Sequence, residues 1–220
     1  MIERRKIYFL GAGGHARVLA DVLGALGLQP IAIFDNDSTR IGGHHCGLPI
    51  IGNAEDALKI EPAKCIFVNT IGNKPITGDP GFRARRHTYN LFKAHGFDFL
   101  TIVSKDAKVS KDVELLEGSQ IINRSLVHPN SKIGCNTIIN TSASIDHDCV
   151  VGSHTHIAPA AVLCGNVTVG DQCHIGARAV VTPGVCIGSA VVVGAGAVVL
   201  DDIVSGCTVV GNPARVVGKK

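Results

Sequence analysis

Every sixth residue from Val103 to Val199 is aliphatic, without one break: Val103, Val109, Leu115, Ile121, Val127, Ile133, Ile139, Ile145, Val151, Ile157, Leu163, Val169, Ile175, Val181, Ile187, Val193 and Val199. A helix would return its apolar residues after three or four positions, and a half-buried strand after two, so neither accounts for the pattern. A fixed six-residue period is the signature of a parallel β-helix, a solenoid whose successive coils bury one another. Each hexad then supplies a short strand and a turn, with the aliphatic residue pointing inward. Four positions later comes a small residue that shares the interior, such as Ser119, Thr137, Ala143, Cys149, Ala161, Cys173 or Ala197. Three hexads close one triangular coil of eighteen residues, so the seventeen hexads predict between five and six coils.

The first hundred residues lack this period and read as α/β. Lys6–Leu10 is expected as a buried strand, Ala16–Leu26 as a helix ended by Gly27, and Pro30–Phe34 as a second strand. Asn53 is placed to cap a helix through Lys59, residues 65–70 form a third strand, and Phe82–His95 a helix ended by Gly96. Strands alternating with helices imply βαβ units and a parallel sheet. The expected division is residues 1–101 as a Rossmann-like domain and 102–220 as the β-helix with a C-terminal tail. The first strand runs into Gly11-Ala12-Gly13-Gly14-His15-Ala16, and glycines at a strand-to-helix junction let backbone N–H groups approach a phosphate. Asp35 ends the second strand 24 residues after Gly11, where an acidic residue meets a ribose or base edge. The unit is about half of a dinucleotide-binding domain, so a mononucleotide handle on a substrate fits better than NAD. The alternative is a glycine turn that only packs a helix on a sheet.

Composition narrows the classes of partner. No apolar run is long enough to span a membrane, and the N-terminus lacks the apolar stretch of a signal peptide. The net charge of +3 is dispersed and no basic run carries interleaved aromatics, so nucleic acid is not an expected partner. None of the eight cysteines forms a C-x-x-C pair, which argues against a zinc site or a disulfide framework and for a reducing cytoplasm.

The pattern [LIV]-G-x-x-[STAV]-x resembles the left-handed β-helix of hexapeptide-repeat acyltransferases. With the Gly-x-Gly-Gly-His loop at Gly11–His15 and the segment Asn140-Thr-Ser-Ala-Ser-Ile-Asp-His-Asp-Cys149, nearly the whole chain resembles one group of bacterial sugar acyltransferases. That group contains the N-acetyltransferases of nucleotide-linked 4-amino-6-deoxy sugars and the sialic acid O-acetyltransferases. The resemblance implies a left-handed coil, a homotrimer, acetyl-CoA as co-substrate, no metal, and a nucleotide-sugar held by the first domain. It places Gly13, Gly14, His15 and Asp35, with Gly72 and Asn73 in a second loop, at the nucleotide-sugar. The stretch after Asn73, Lys74-Pro-Ile-Thr-Gly-Asp-Pro-Gly81, is longer and richer in Pro and Gly than the group's pattern leads one to expect.

Acetyl transfer needs a base for the nucleophile's proton, a thioester held against it, and a donor for the oxyanion. His147, between Asp146 and Asp148 at an outward position of the Ile145 hexad, is the candidate base. Read alone, the triplet is better taken as a surface histidine between solvated carboxylates; the resemblance makes His147 catalytic and Asp148 its orienting partner. Eighteen-residue stacking puts Gly165 over His147, leaving room above the imidazole, with an N–H aimed at a thioester carbonyl, and His156 next to His174. By resemblance His156 meets the thioester end or pantetheine arm, Asn140 makes a substrate- or cofactor-side contact, and Gly176, Gly194, Pro213 and Ala214 line the coenzyme A groove. The resemblance implies direct transfer, and no base is identifiably paired with Cys164. Four readings compete: N-acetylation of a nucleotide-linked 4-amino-4,6-dideoxyhexose, O-acetylation of sialic acid or a related nonulosonic acid, a metal-dependent lyase of the γ-carbonic-anhydrase kind using His147, His154 and His156, and a non-catalytic nucleotide-sugar sensor.

Overall fold

The computed structural model describes residues 5–72 and 80–219. The chain divides into two units, Met1–Leu100 and Thr101–Lys220.

In the first unit, β1 (Lys6–Leu10) leads through the glycine loop into α1 (Gly14–Ala25), followed by β2 (Pro30–Phe34). A two-residue β3 (His44–His45), β4 (Leu48–Gly52), the short α2 (Ala54–Ala57), β5 (Cys65–Asn69) and α3 (Pro80–Ala94) complete it. The sheet order is β3-β4-β2-β1-β5, with β4, β2, β1 and β5 parallel and β3 antiparallel to β4. The chain moves from β1 to β2 on one side and later returns to put β5 on the other. The carboxyl ends of β1 and β5 therefore flank a topological switch point, where ligands bind in such sheets. Phe9, Leu19, Leu23, Ile33, Phe67 and Phe92 are fully buried. Phe67 makes edge-on contacts with Phe92 and Phe97, the ring geometry that aromatic quadrupoles favour.

Several boundaries differ from the sequence reading: α1 and β5 end one residue early, at Ala25 and Asn69, and α3 runs Pro80–Ala94 where Phe82–His95 is expected. α1 begins at Gly14, two residues before the expected Ala16, because extended Gly13 occupies the N-cap and needs no side-chain acceptor to do so. α2 ends at Ala57 and not at Lys59, although Asn53 caps it as expected, in a reciprocal box with Asp56. β4 was not foreseen; its Leu-Pro-Ile-Ile-Gly has only a short apolar core, and pairing with β2 makes it a strand.

The second unit is a left-handed parallel β-helix. Seventeen two-residue strands run from Ile102–Val103 to Val198–Val199, one per hexad. They fall into three parallel faces. The first carries Lys108–Val109 through Val198–Val199, the second Glu114–Leu115 through Cys186–Ile187, and the third Ile102–Val103 through Val192–Val193. Register is eighteen residues per coil, as in Ile145 against Leu163 and Ile157 against Ile175. Fourteen of the aliphatics, Ile121 to Val199, are no more than 1% exposed; Val103, Val109 and Leu115, in the first coil, are only partly buried because no coil lies beneath them. One residue per hexad, from Gly118 to Gly196, has φ between about 54° and 71° or, at Gly184, 76°. That left-handed residue turns each corner.

After Val199 the step shortens. Ile203 bridges to Ile187 and Val209 pairs with Val193, each sixteen residues on. Cys207–Val210 extends the third face, and Arg215–Lys219 closes it antiparallel.

Candidate active site

The predicted base lies at the corner between the first and second faces. His147 Nδ1 is 2.7 Å from Asp148 Oδ2, and its own backbone N–H donates to Asp146 Oδ1 at 2.8 Å. The hydrogen bond that His147 donates to Asp148, and then the charges of Asp146 and Asp148, hold the imidazole pKa above its ordinary 6.5. Asp148 lies below the usual carboxylate range because Asn130 and then His147 donate to it. The sequence reading missed Asn130. Its Nδ2 donates to Asp148 Oδ1 at 2.5 Å from one coil below, and the signal was available, since 148 less eighteen is 130.

Gly165 sits over the ring as the arithmetic required. A Cβ on Gly165 would lie 2.7 Å from both Nε2 and Cε1 of His147. The imidazole thus fills the place of the missing side chain and turns Nε2 toward the next coil. Among the described residues nothing accepts the Gly165 N–H. A ring nitrogen with a basic lone pair and an uncommitted N–H therefore lie together, which is the pair of functions an acyl transfer requires.

The other predicted residues of this unit are elsewhere on the coil. His156 is on the third face, 8% exposed, with Nε2 2.9 Å from Asn140 Nδ2, whose Oδ1 accepts from Thr141 N–H. His174, one coil above, meets it edge to face, with ring centroids 5.0 Å apart. Burial pushes the His174 pKa down to about 4, so this ring is neutral at physiological pH. Gly176 and Gly194 belong to the corner between the third and first faces. A Cβ at Gly176 would meet the Ala195 backbone at 2.5 Å, so coil stacking alone already requires glycine there. Pro213 follows a cis peptide bond, and Ala214 N–H donates to Val198 O, returning the tail to the first face. The structure thus joins His147, Asp148 and Gly165 into one group and Asn140 and His156 into another, with the apolar core of the coil between them.

His147, His154 and His156 do not converge. His147 turns to Asp148, His154 Nδ1 to Asn136, and His156 to Asn140. Among the described residues no three His, Cys, Asp or Glu side chains are grouped as metal ligands. Burial raises the thiols of Cys149 and, to about 11, Cys173, so neither is a thiolate nucleophile.

In the first unit the two predicted loops do meet. Thr70 Oγ1 donates to Leu10 O and Gly11 O, and a Cβ at Gly11 would come 2.9 Å from Ile71 Cγ1. Gly72 approaches Cβ of His15 to 3.6 Å on the same measure. Fully buried Arg85 of α3 donates to the carbonyls of Asn69 and Ile71, fixing the end of β5. Asp35 does more than end a strand: its carboxylate accepts from Ala12 N–H at 2.5 Å and Asp37 N–H at 2.8 Å, so it shapes the glycine loop itself. A cleft of about 250 Å³ opens beside it, lined by Leu10, Gly11, Phe34, Asn36 and Ile71 among others. A second, of about 550 Å³, lies across the loop, with Gly13, Gly14, Arg17, Arg40 and His45 in its wall. Asn73 lies outside the described residues, as do residues 74–79 of the Pro- and Gly-rich stretch.

Known proteins share both halves. Residues 6–76 match the PglD N-terminal domain, and residues 166–201 match the bacterial transferase hexapeptide (six repeats). A histidine-to-asparagine variant of perosamine N-acetyltransferase from Caulobacter crescentus, solved with CoA and GDP-perosamine, is 32% identical over 97% of each chain, with a TM-score of 0.88. The acetyltransferase domain of PglB from Neisseria gonorrhoeae, solved with acetyl coenzyme A, is 34% identical, covering 97% of this chain and all of that one at a TM-score of 0.87. WeeI from Acinetobacter baumannii is 27% identical over 97% of this chain, with a TM-score of 0.84. Similarity at this level runs through the α/β unit and the β-helix together, and the chain belongs to the hexapeptide-repeat sugar N-acetyltransferases.

Proposed function

We propose that this enzyme transfers acetyl from acetyl-CoA to the 4-amino group of a nucleotide-linked 4-amino-4,6-dideoxyhexose, with His147 as general base. The observation that carries this reading is the imidazole oriented by Asp148 beneath Gly165, in a chain similar to enzymes solved with CoA and with GDP-perosamine. An alkylammonium has no lone pair for attack, so its proton must leave first. His147 Nε2 takes that proton, Asp148 stabilises the resulting imidazolium through Nδ1–H, and Gly165 N–H donates to the developing oxyanion. As the tetrahedral adduct collapses its C–S bond breaks, the imidazolium returns its proton to the sulfur so that coenzyme A leaves as the thiol, and the nitrogen's remaining extra proton passes to solvent. Gly13, Gly14, His15, Asp35 and Gly72 hold the nucleotide-sugar. His156 and Asn140 take the thioester end of acetyl-CoA, and Gly176, Gly194, Pro213 and Ala214 its remaining length.

A homotrimer in the cytoplasm completes the reading. Within one coil the His147 and His156 groups face different sides of the prism, and a groove between neighbouring β-helices would bring one of each together. The first face supports this. Its outward column reads Lys108, Leu126, Ser144, Val162, Val180, Val198, apolar at four of six positions, although parallel sheets are normally covered on both sides. Among the described residues no helix is long and apolar enough to cross a membrane.

The test is thiol release from acetyl-CoA with a panel of UDP-, GDP- and dTDP-linked amino sugars, followed by hydroxylamine, which cleaves an ester but spares an amide. A hydroxylamine-stable product is expected. Transfer to sialic acid alone, or a labile product, would replace the amine by a hydroxyl as acceptor.

A further inference from the structure

Asp112, Asn130, Asp148 and Asn166 form one column, eighteen residues apart, on the corner that carries His147. Asn130 and Asp148 both adopt the left-handed conformation, with φ of 60° and 59°, which Asn and Asp tolerate better than most residues. Asn130 is held from below, its backbone N–H donating to Asp112 Oδ2 at 3.2 Å. It reaches upward, its carboxamide donating to Asp148 Oδ1 at 2.5 Å. Asp148 Oδ2 is then the oxygen left for His147 Nδ1, 2.7 Å away. An exposed carboxylate without such an anchor rotates, and the imidazole it guides rotates with it. We propose that Asn130 is a positioning residue of the transfer reaction, one that locks Asp148 in the rotamer that holds His147 with Nε2 beneath Gly165.

The inference rests on His147 being the base, and it adds a third member to that pair. Asn130 donates a hydrogen bond without adding charge, so it fixes the carboxylate and leaves it ionised. Charged groups near the ring are few. Asp146 and Asp148 are on its own coil, the coil above brings Cys164, Gly165 and Asn166, and the coils below bring His128, Pro129, Asn130 and, one further, Lys111 and Asp112.

Asn130→Gly is the informative variant, because glycine keeps the left-handed backbone, as Gly184 already does in the same column at φ 76°. The expected result is a kcat lowered at least about threefold, yet by less than the roughly 10²–10⁴ of losing a base, with both KM values unchanged. In the resting protein, the NMR titration of the His147 ring should move down toward an ordinary imidazole, since its hydrogen bond to Asp148 is no longer enforced. Should Asn130→Gly fail to fold, Asn130→Asp keeps the shape and can donate only while protonated, so the His147 titration must still change. A wild-type kcat together with an unaltered His147 titration would overturn the proposal. Because the titration is read without substrate, it separates this from the base assignment, which fails only if His147→Ala keeps its activity.

Discussion

The two corners that bound the second face are built from the same hexad and have diverged. At the corner with the third face, Gly134, Gly152, Gly170 and Gly188 succeed one another up the coil. A Cβ at Gly152 would lie 2.5 Å from the Gly170 carbonyl carbon and 2.6 Å from Asp171 N. The residues beside them form a ladder: Ser153 Oγ accepts Cys135 N–H, Asp171 Oδ1 accepts Ser153 N–H, Ser189 Oγ accepts Asp171 N–H, and Ser205 Oγ accepts Ser189 N–H. Every turn N–H in that run has an acceptor one coil above, so the corner is closed. At the corner with the first face the same positions read Pro129, His147, Gly165, Pro183. No oxygen ladder forms there. A ring occupies the gap and the Gly165 N–H is left over. A repeat that satisfies its backbone everywhere is a scaffold; one N–H left uncommitted beside one imidazole is what fits this corner for the chemistry proposed above.

The largest test of that contrast is His147→Ala. It should lower kcat by about 10²–10⁴ with little change in either KM. The kcat/KM profile of the native enzyme should rise with pH through a midpoint above 6.5, because the base works only when neutral and its pKa is raised. That limb should vanish in the variant. An alanine enzyme with most of its kcat and an unchanged profile would place the proton acceptor elsewhere.

Next in size is a pair of glycine substitutions whose effects should be opposite. In Gly165→Ala the new methyl meets only the end of the His147 side chain, which can swing away. Activity should fall about tenfold or more, while the denaturant midpoint hardly moves. In Gly152→Ala the methyl meets backbone, which cannot move aside, at an overpacking cost of about 1–3 kcal/mol. Stability should fall while kcat per folded molecule stays near native. If both variants lost stability alike, the corners would not differ in the way described.

The smallest effect sharpens the comparison through pH. The His147 pKa is raised on folding, so its share of stability is fully present below about 6.5 and fades as pH climbs through the raised value. The Asp148 pKa is lowered, so its share is present above about 3.8 and fades as pH falls through the lowered value. The pair therefore stabilises most between those limits, and only slightly because both groups are exposed. The loss of Tm in His147→Ala should be greatest in that window. Removing Ser153, which does not titrate, should cost the same at every pH.

The repeat was legible because six residues per strand and turn is a covalent regularity, and each aliphatic position has one interior to face. From it came the coil, the register, Gly165 above His147 and the place of Asn130, had the subtraction been made. The glycine loop and Asp35 were legible as a strand-to-helix junction. That Asp35 braces Ala12, that Thr70 and Arg85 tie the second loop to the first, and that β4 is a strand were decided by contacts between residues far apart in sequence. No local pattern encodes a contact of that kind. The nine-residue step from His147 to His156 is half an eighteen-residue coil, so spacing already puts them on different sides; which side chain holds each ring, Asp148 for one and Asn140 for the other, was decided by side-chain packing in the folded coil, which the period does not encode.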